Sequence, residues 1–351
     1  MVQRLLSPGE IESLDHNSMP RLVLPQPGVL FPARAARLRQ LADGGVPGIP
    51  APDSLHGYLH LMAAVADAQA AVATARPGSG PAMPPLPSTD AIETALAHNM
   101  PPLPVSGPRP AGWRAIYLAL LDQLDAASAG QPQLAAVLAS LRILPEAELE
   151  GCADAVLAEI GEGINPLHAP FVAAALQVLW TAHASQLDAN RVQPPVTGTL
   201  CPVCGSHPVA SVIRIGGQAQ GYRYLHCAIC ASEWHMVRVK CSCCEKNARI
   251  AYQGLTPSGA GADGSSSGSS SSSSSSSDAP APANKAQDPS RVARAETCED
   301  CHSYRKIFNQ EHDFLVEPLA DDLASLALDL LVTEAGYTRG SVNPLLWFGS
   351  E

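Results

Sequence analysis

From Asp53 onward, apolar side chains fall at Leu55, Leu59, Met62, Val65 and Val72, with Gln69 the one polar break. That spacing of three and four predicts a helix with one buried stripe, ended by Arg76-Pro77-Gly78. A second stripe runs Trp113, Ile116, Leu120, Leu124. A third runs Phe171, Ala175, Val178, Ala182, entered through Asn165-Pro166 and Pro170. Shorter helical stretches are predicted near 34–43, 132–143 and 146–160, with Pro-rich connections at 77–87 and 101–110. Each helix reads as apolar on one side only, so the set is expected to pack into a bundle over residues 1–195.

After Pro194-Pro195 the pattern changes. Residues 222–226 and 233–239 alternate with period two and are rich in aromatic and β-branched side chains, which predicts strands. Residues 257–290 are dominated by Ser, Gly, Ala and Pro, with an unbroken serine tract at 269–277. Such a segment has too little apolar surface to offset the entropy of ordering it and reads as a flexible insert. Asp321-Asp322 then open a last helix with Leu323, Leu326 and Leu330 on one face and Gly336 as its stop. The tail from Asn343 to Phe348 is apolar and is expected to dock onto the fold.

Composition narrows the class. The chain is 46% hydrophobic but only 5% aromatic, an Ala- and Leu-rich balance that favours helices. Its net charge of -11 gives no overall attraction to nucleic acid or an anionic membrane. No apolar run is long enough to span a bilayer, and the first residues carry no secretory h-region. Paired cysteines in such a chain read as metal ligands in a reducing cytoplasm, not as disulfides.

Eight of the ten cysteines form four Cys-x-x-Cys pairs: Cys201/Cys204, Cys227/Cys230, Cys241/Cys244 and Cys298/Cys301. A two-residue gap places both sulfurs on one side of a tight turn, and four pairs make two sets of four thiolates. The first set joins Cys201, Cys204, Cys227 and Cys230 across a short hairpin, the layout of a zinc ribbon or a rubredoxin-like site. The second joins Cys241, Cys244, Cys298 and Cys301 across the insert. The long gap is tolerable, because closure costs only about 0.6 kcal/mol per doubling of loop length. Choosing Cys244 rather than Cys243 keeps the two-residue gap, which leaves Cys243 a bystander thiol. Cys152 reads as a small buried hydrophobe, and His226, His235 and His302 as neighbours of the sites rather than ligands. A closed cage of four sulfurs leaves no position for substrate, which argues against hydrolytic metal catalysis; spacing does not separate iron from zinc.

Three runs carry a further resemblance: Cys201-Pro-Val-Cys-Gly-Ser-His-Pro-Val, Tyr224-Leu-His-Cys227 with Cys230, and Glu233-Trp-His followed by Val237-Arg-Val-Lys-Cys241. With Glu296-Thr-Cys298, Asp321-Asp-Leu-Ala-Ser-Leu and Gly336-Tyr, they are similar to the formate dehydrogenase accessory protein (FdhE) family. The likeness covers most of 198–348 outside the insert. It is looser in the N-terminal half, from Leu24-Pro25 through the Leu55–Gln69 helix. It implies a cytoplasmic protein of α+β class, with an all-α N-terminal domain, two rubredoxin-like modules of four cysteines each and a C-terminal helix. It also implies iron as the metal, with zinc the alternative, and contact with the catalytic subunit of respiratory formate dehydrogenase before export. The corresponding division is 1–195, 196–240, 241–318 with the insert, and 319–351. The insert and Cys243 depart from the family pattern.

Two other functions compete with an assembly factor. Locally, Arg214, Arg223, Arg238, Lys240, Lys246 and Arg249 outnumber Glu233 and Glu245, with Tyr222 and Tyr224 nearby, which suits a nucleic-acid-binding zinc ribbon. A thiol oxidoreductase would use a single Cys-x-x-Cys at a helix start. No Walker A, Gly-x-Ser-x-Gly or His-Glu-x-x-His pattern points to another enzyme.

Overall fold

The computed structural model describes residues 19–76, 78–194, 197–247, 249–255 and 288–347. Most of the predicted insert, the first residues of the chain and Phe348 lie outside the described residues. Among the described residues the protein is α+β, with nine helices and one eight-stranded sheet.

A short strand β1 (Leu22–Val23) leads into α1 (Pro27–Ala42) and α2 (Asp53–Ala73). All the predicted stripe positions of α2 are buried except Leu55, which is half-buried at the helix start. Gln69, the polar break, is buried too; its amide donates to the Ala174 carbonyl at 2.9 Å and to Gln177 Oε1 at 3.0 Å. The helix α3 (Thr89–Ala97) has no counterpart among the predicted helices. It fully buries none of its residues, with Ile92, Ala95 and Leu96 half-buried on one side; Ser88 caps it by accepting from the Ala91 N–H at 3.2 Å. Then follow α4 (Trp113–Leu124), α5 (Pro132–Arg142), α6 (Glu146–Leu157) and α7 (Ala169–Ala184).

The reading of every helix as one-sided fails at α7, where all sixteen residues are buried. Its alanines let neighbours approach from every side, so it is the axis around which the bundle is built. Its polar side chains turn to partners inside the fold: Trp180 Nε1 donates to the Leu103 carbonyl at 2.9 Å, and His183 Nε2 lies 2.8 Å from the Pro84 carbonyl. Gln177 donates to the Ala228 carbonyl at 2.8 Å, which ties the helix to the first cysteine module.

The remaining strands are β2 (Pro208–Ile213), β3 (Arg223–Cys227), β4 (Glu233–His235), β5 (Ile250–Gly254), β6 (Ala293–Cys298), β7 (Ser303–Asn309) and β8 (Thr338–Arg339). The predicted strand at 233–239 stops at His235. The sheet order is β1-β4-β3-β2-β7-β6-β5, with β8 on β7. Two antiparallel three-stranded units, β2-β3-β4 and β5-β6-β7, meet where β2 runs parallel to β7, in the register Ser211↔Ile307 to Ile213↔Asn309. The two cysteine regions therefore share one continuous sheet. A buried ion pair between Arg223 on β3 and Glu296 on β6 links them further.

The last helix is broken in two, α8 (Pro318–Ala324) and α9 (Leu326–Glu334), at Ser325. The break turns the predicted stripe: Leu323 is fully buried, whereas Leu330 is 67% exposed. Asp321 stands in the first turn of α8 as expected, and both it and Asp322 are fully buried; burial pushes the Asp321 carboxyl up to about 7. Asp321 Oδ1 accepts from Arg37 Nε at 2.7 Å, and Glu317 Oε1 from Arg34 Nη2 at 2.9 Å, which bolts α1 to α8. Asp322 faces Lys306 Nζ at 3.1 Å and accepts from Asn343 at 2.9 Å. Gly336, at φ +91°, follows α9 as expected, and Leu345 and Trp347 of the tail are buried.

Candidate metal centres

Each Cys-x-x-Cys pair closes with the same local turn. The residue after its second cysteine adopts a left-handed backbone: Gly205 at φ +80°, Ala231 at +56°, Glu245 at +62° and His302 at +50°. Only the first is a glycine, so three non-glycine residues hold a conformation that ordinarily costs about 1–3 kcal/mol. In three pairs the N–H of the first cysteine donates to the carbonyl five residues on, Cys201 to Ser206, Cys227 to Ser232 and Cys241 to Lys246, each at 2.9 Å. The turn aims further N–H groups at sulfur: those of Ile229 and Cys230 at Cys227 Sγ (3.4 and 3.3 Å), and that of Cys243 at Cys241 Sγ (3.3 Å).

The fold brings the eight sulfurs together as the spacing predicts. Cys201, Cys204, Cys227 and Cys230 form one group and Cys241, Cys244, Cys298 and Cys301 another, with all sulfurs of a group within 4.8 Å of one another. Sγ–Sγ distances are 3.5 Å for Cys201–Cys230, 3.4 Å for Cys204–Cys227, and 3.8 Å for both Cys241–Cys301 and Cys244–Cys298. A tetrahedron of thiolates about 2.3 Å from a central ion has edges of about 3.8 Å, so both groups can hold a metal ion. Iron and zinc satisfy the geometry equally.

The two centres differ in setting. The first is wholly buried and roofed by the bundle: the N–H groups of Leu103 and Val105, in the Pro-rich connection, donate to the Val203 and Cys204 carbonyls at 3.0 and 2.9 Å. In the second, Cys244 and Cys301 are partly exposed. Burial pushes the Cys201 and Cys230 thiols well up. At Cys227 burial acts the same way but is outweighed by hydrogen bonds from the neighbouring thiols and Ser206, so this thiol is held low. A bound cation would favour deprotonation of the thiols that hold it. At the second centre Cys244 is pushed up to about 12 by burial, and Cys241 to about 12 by its contact with Cys243 and by burial.

Sequence reading missed the hydroxyls. Ser206 Oγ lies 3.1 Å from both Cys204 and Cys227 Sγ, and Ser232 Oγ 3.2 Å from Cys230 Sγ. The signal was present: a serine stands two residues after the second cysteine in three of the four pairs, as Ser206, Ser232 and Ser303. Cys243 stays outside the second group, with its sulfur 3.8 Å from Arg305 Nη2. Cys152 is half-buried in the bundle, its thiol pushed up to about 11 by burial. Among the histidines, His226 is buried with Nδ1 2.7 Å from Glu233 Oε1, His235 lies edge-on to the rings of Tyr222 and Tyr224, and His302 lies against Tyr337. Much of the basic patch is already neutralised: Arg214 pairs with Glu233, Arg223 with Glu296 and Arg249 with Glu299.

A helical bundle fused through one sheet to a pair of four-cysteine groups defines an α+β protein in which each group of sulfurs could hold a metal ion. The chain belongs to the FdhE family. Family models described as "FdhE, N-terminal", "FdhE, central domain" and "FdhE, C-terminal domain" match residues 19–197, 200–238 and 279–346. Protein FdhE of Escherichia coli strain K12 is 34% identical over 343 residues, covering 97% of this chain and 96% of that one. Protein FdhE of Shigella boydii serotype 18 shows the same identity and coverage. The crystal structure of the FdhE protein from Pseudomonas aeruginosa is similar with a TM-score of 0.74 and 36% identity, over 94% of this chain and 100% of that one.

Proposed function

We propose that this protein is an accessory factor in the maturation of respiratory formate dehydrogenase, not an enzyme in its own right. It acts in the cytoplasm by binding the catalytic subunit before export. The observation that supports this reading most is family membership along nearly the whole chain together with two assembled cysteine groups. Its ligands are Cys201, Cys204, Cys227 and Cys230 at the first centre and Cys241, Cys244, Cys298 and Cys301 at the second. Iron is the metal we favour, with a one-electron change at the more exposed second centre as the route by which it would sense or deliver an electron. The division into 1–195, 196–240, 241–318 and 319–351 remains our functional partition, with the sheet coupling the middle two.

The test is twofold. Tagged protein purified anaerobically from cells expressing formate dehydrogenase should retain the catalytic subunit, and deletion of its gene should abolish formate oxidation. Intact formate oxidation after deletion, with no subunit retained, rejects the proposal. Absorbance of the same preparation in the visible range separates ferric iron, which is coloured, from zinc.

A further inference from the structure

Five of the large hydrophobic side chains left exposed on this protein, Val23, Val29, Ile215, Phe314 and Leu315, line a single cleft of ≈ 690 Å³. The cleft lies between α1, the terminal strand β1 and the segment 310–318 that leads into α8. Its volume falls within the usual range for ligand sites, about 300–1,000 Å³. Exposed apolar side chains gathered on one concave surface mark an interaction site; the same residues scattered singly would not.

The floor of the cleft is polar, and its charges are already paired. Arg214 Nε donates to Glu233 Oε2 at 2.8 Å, Arg37 pairs with Asp313 and Asp321 at 2.7 Å each, and Glu317 accepts from Arg34 at 2.9 Å. A charged ligand would have to break one of these pairs, whereas an uncharged one would leave them intact. Among the buried polar side-chain atoms that line the cleft, His226 Nε2 has neither a hydrogen bond nor an ion pair. His226 is 1% exposed and lines the cleft; Nδ1 is taken by Glu233, and the buried Nε2 has no hydrogen-bond partner. A buried polar atom left without a partner costs free energy that a bound ligand can recover.

We propose that this cleft takes an extended, uncharged apolar segment of the partner enzyme's polypeptide, whose backbone completes the hydrogen bonding of His226 Nε2. The inference rests on the accessory-factor reading above. A peptide backbone suits the floor because it carries both a donor and an acceptor at every residue. The apolar rim suits alternate side chains of an extended chain lying along the end of the sheet.

The test uses the full-length, metal-loaded protein and purified catalytic subunit. Val29→Asp and Phe314→Asp change exposed rim residues, so metal content and thermal melting should stay as in the unmodified protein. Each should weaken subunit binding at least tenfold, and a photoreactive benzophenone side chain in place of Phe314 should cross-link to an uncharged apolar stretch of the subunit. Full affinity in both folded variants, or a cross-link to a charged stretch or to a second copy of this chain, overturns the cleft assignment and leaves the accessory function standing. Failure of the unmodified protein to bind the subunit at all rejects the accessory reading itself.

Discussion

At the scale of single residues, a hydroxyl beside the first centre has a measurable effect. Ser206 is within hydrogen-bonding reach of two of its four sulfurs. Ser206→Ala should keep the fold but release metal to a chelator several-fold faster, since outer partners typically contribute about 10–100-fold in metal affinity. Unchanged release kinetics would show that the hydroxyl is incidental. Glu233 gives a pH signature. Burial alone would raise its carboxyl, but Arg214 and His226 outweigh burial and hold it at about 2, against an ordinary value of 4.5. The folded value is the lower one, so the associated stability, on the order of 3 kcal/mol, is present above about pH 4.5 and is lost as pH falls towards 2. The free energy of urea unfolding should drop between pH 5 and pH 3 by about 2 kcal/mol more in the unmodified protein than in Glu233→Gln; parallel slopes would remove Glu233 from the account.

At the scale of elements, the junction between α1 and α8 is ionic, and its energy is asymmetric. The Arg37–Asp321 pair is buried on both sides. Removing one member strands the other in a low-dielectric seam, which costs about 3–5 kcal/mol, although the intact pair contributes far less net stability. Arg37→Met should therefore destabilise the protein by about that amount, read from chemical denaturation. The double variant Arg37→Met with Asp321→Leu should recover much of the loss. If the double variant were as unstable as the single one, the loss would lie in packing around the arginine stem. The helix α7 makes a different point: Gln177, buried in its middle, donates to the Ala228 carbonyl between Cys227 and Cys230, which ties the bundle to the first cysteine group.

At the scale of the whole molecule, the two centres should behave unequally. The first is enclosed by the sheet and the bundle, whereas the second shows two of its cysteines to solvent. Zinc-loaded protein challenged with a chromogenic chelator should release metal in two phases, with the fast phase missing from Cys244→Ser. Cys201→Ser should instead disturb folding, because metal binding at a structural site of this kind contributes on the order of 10 kcal/mol. A single release phase would contradict the inequality. Much of this architecture was legible beforehand. The stripes of α2 and α4, the helical N-terminal half and both groups of four cysteines follow from periodicity and spacing, which are local properties of the chain. The sequence by itself thus determined the main helical stripes and which cysteines form local pairs, because a two-residue gap makes the same turn wherever it stands. Only the tertiary structure decided that α7 is buried all round, that Asp321 and Asp322 are fully buried, and that β2 beside β7 joins both cysteine regions into one sheet. Those outcomes depend on partners far away in the chain, Arg37 for Asp321 and Ile307 for Ser211, and no periodicity within a short window records them.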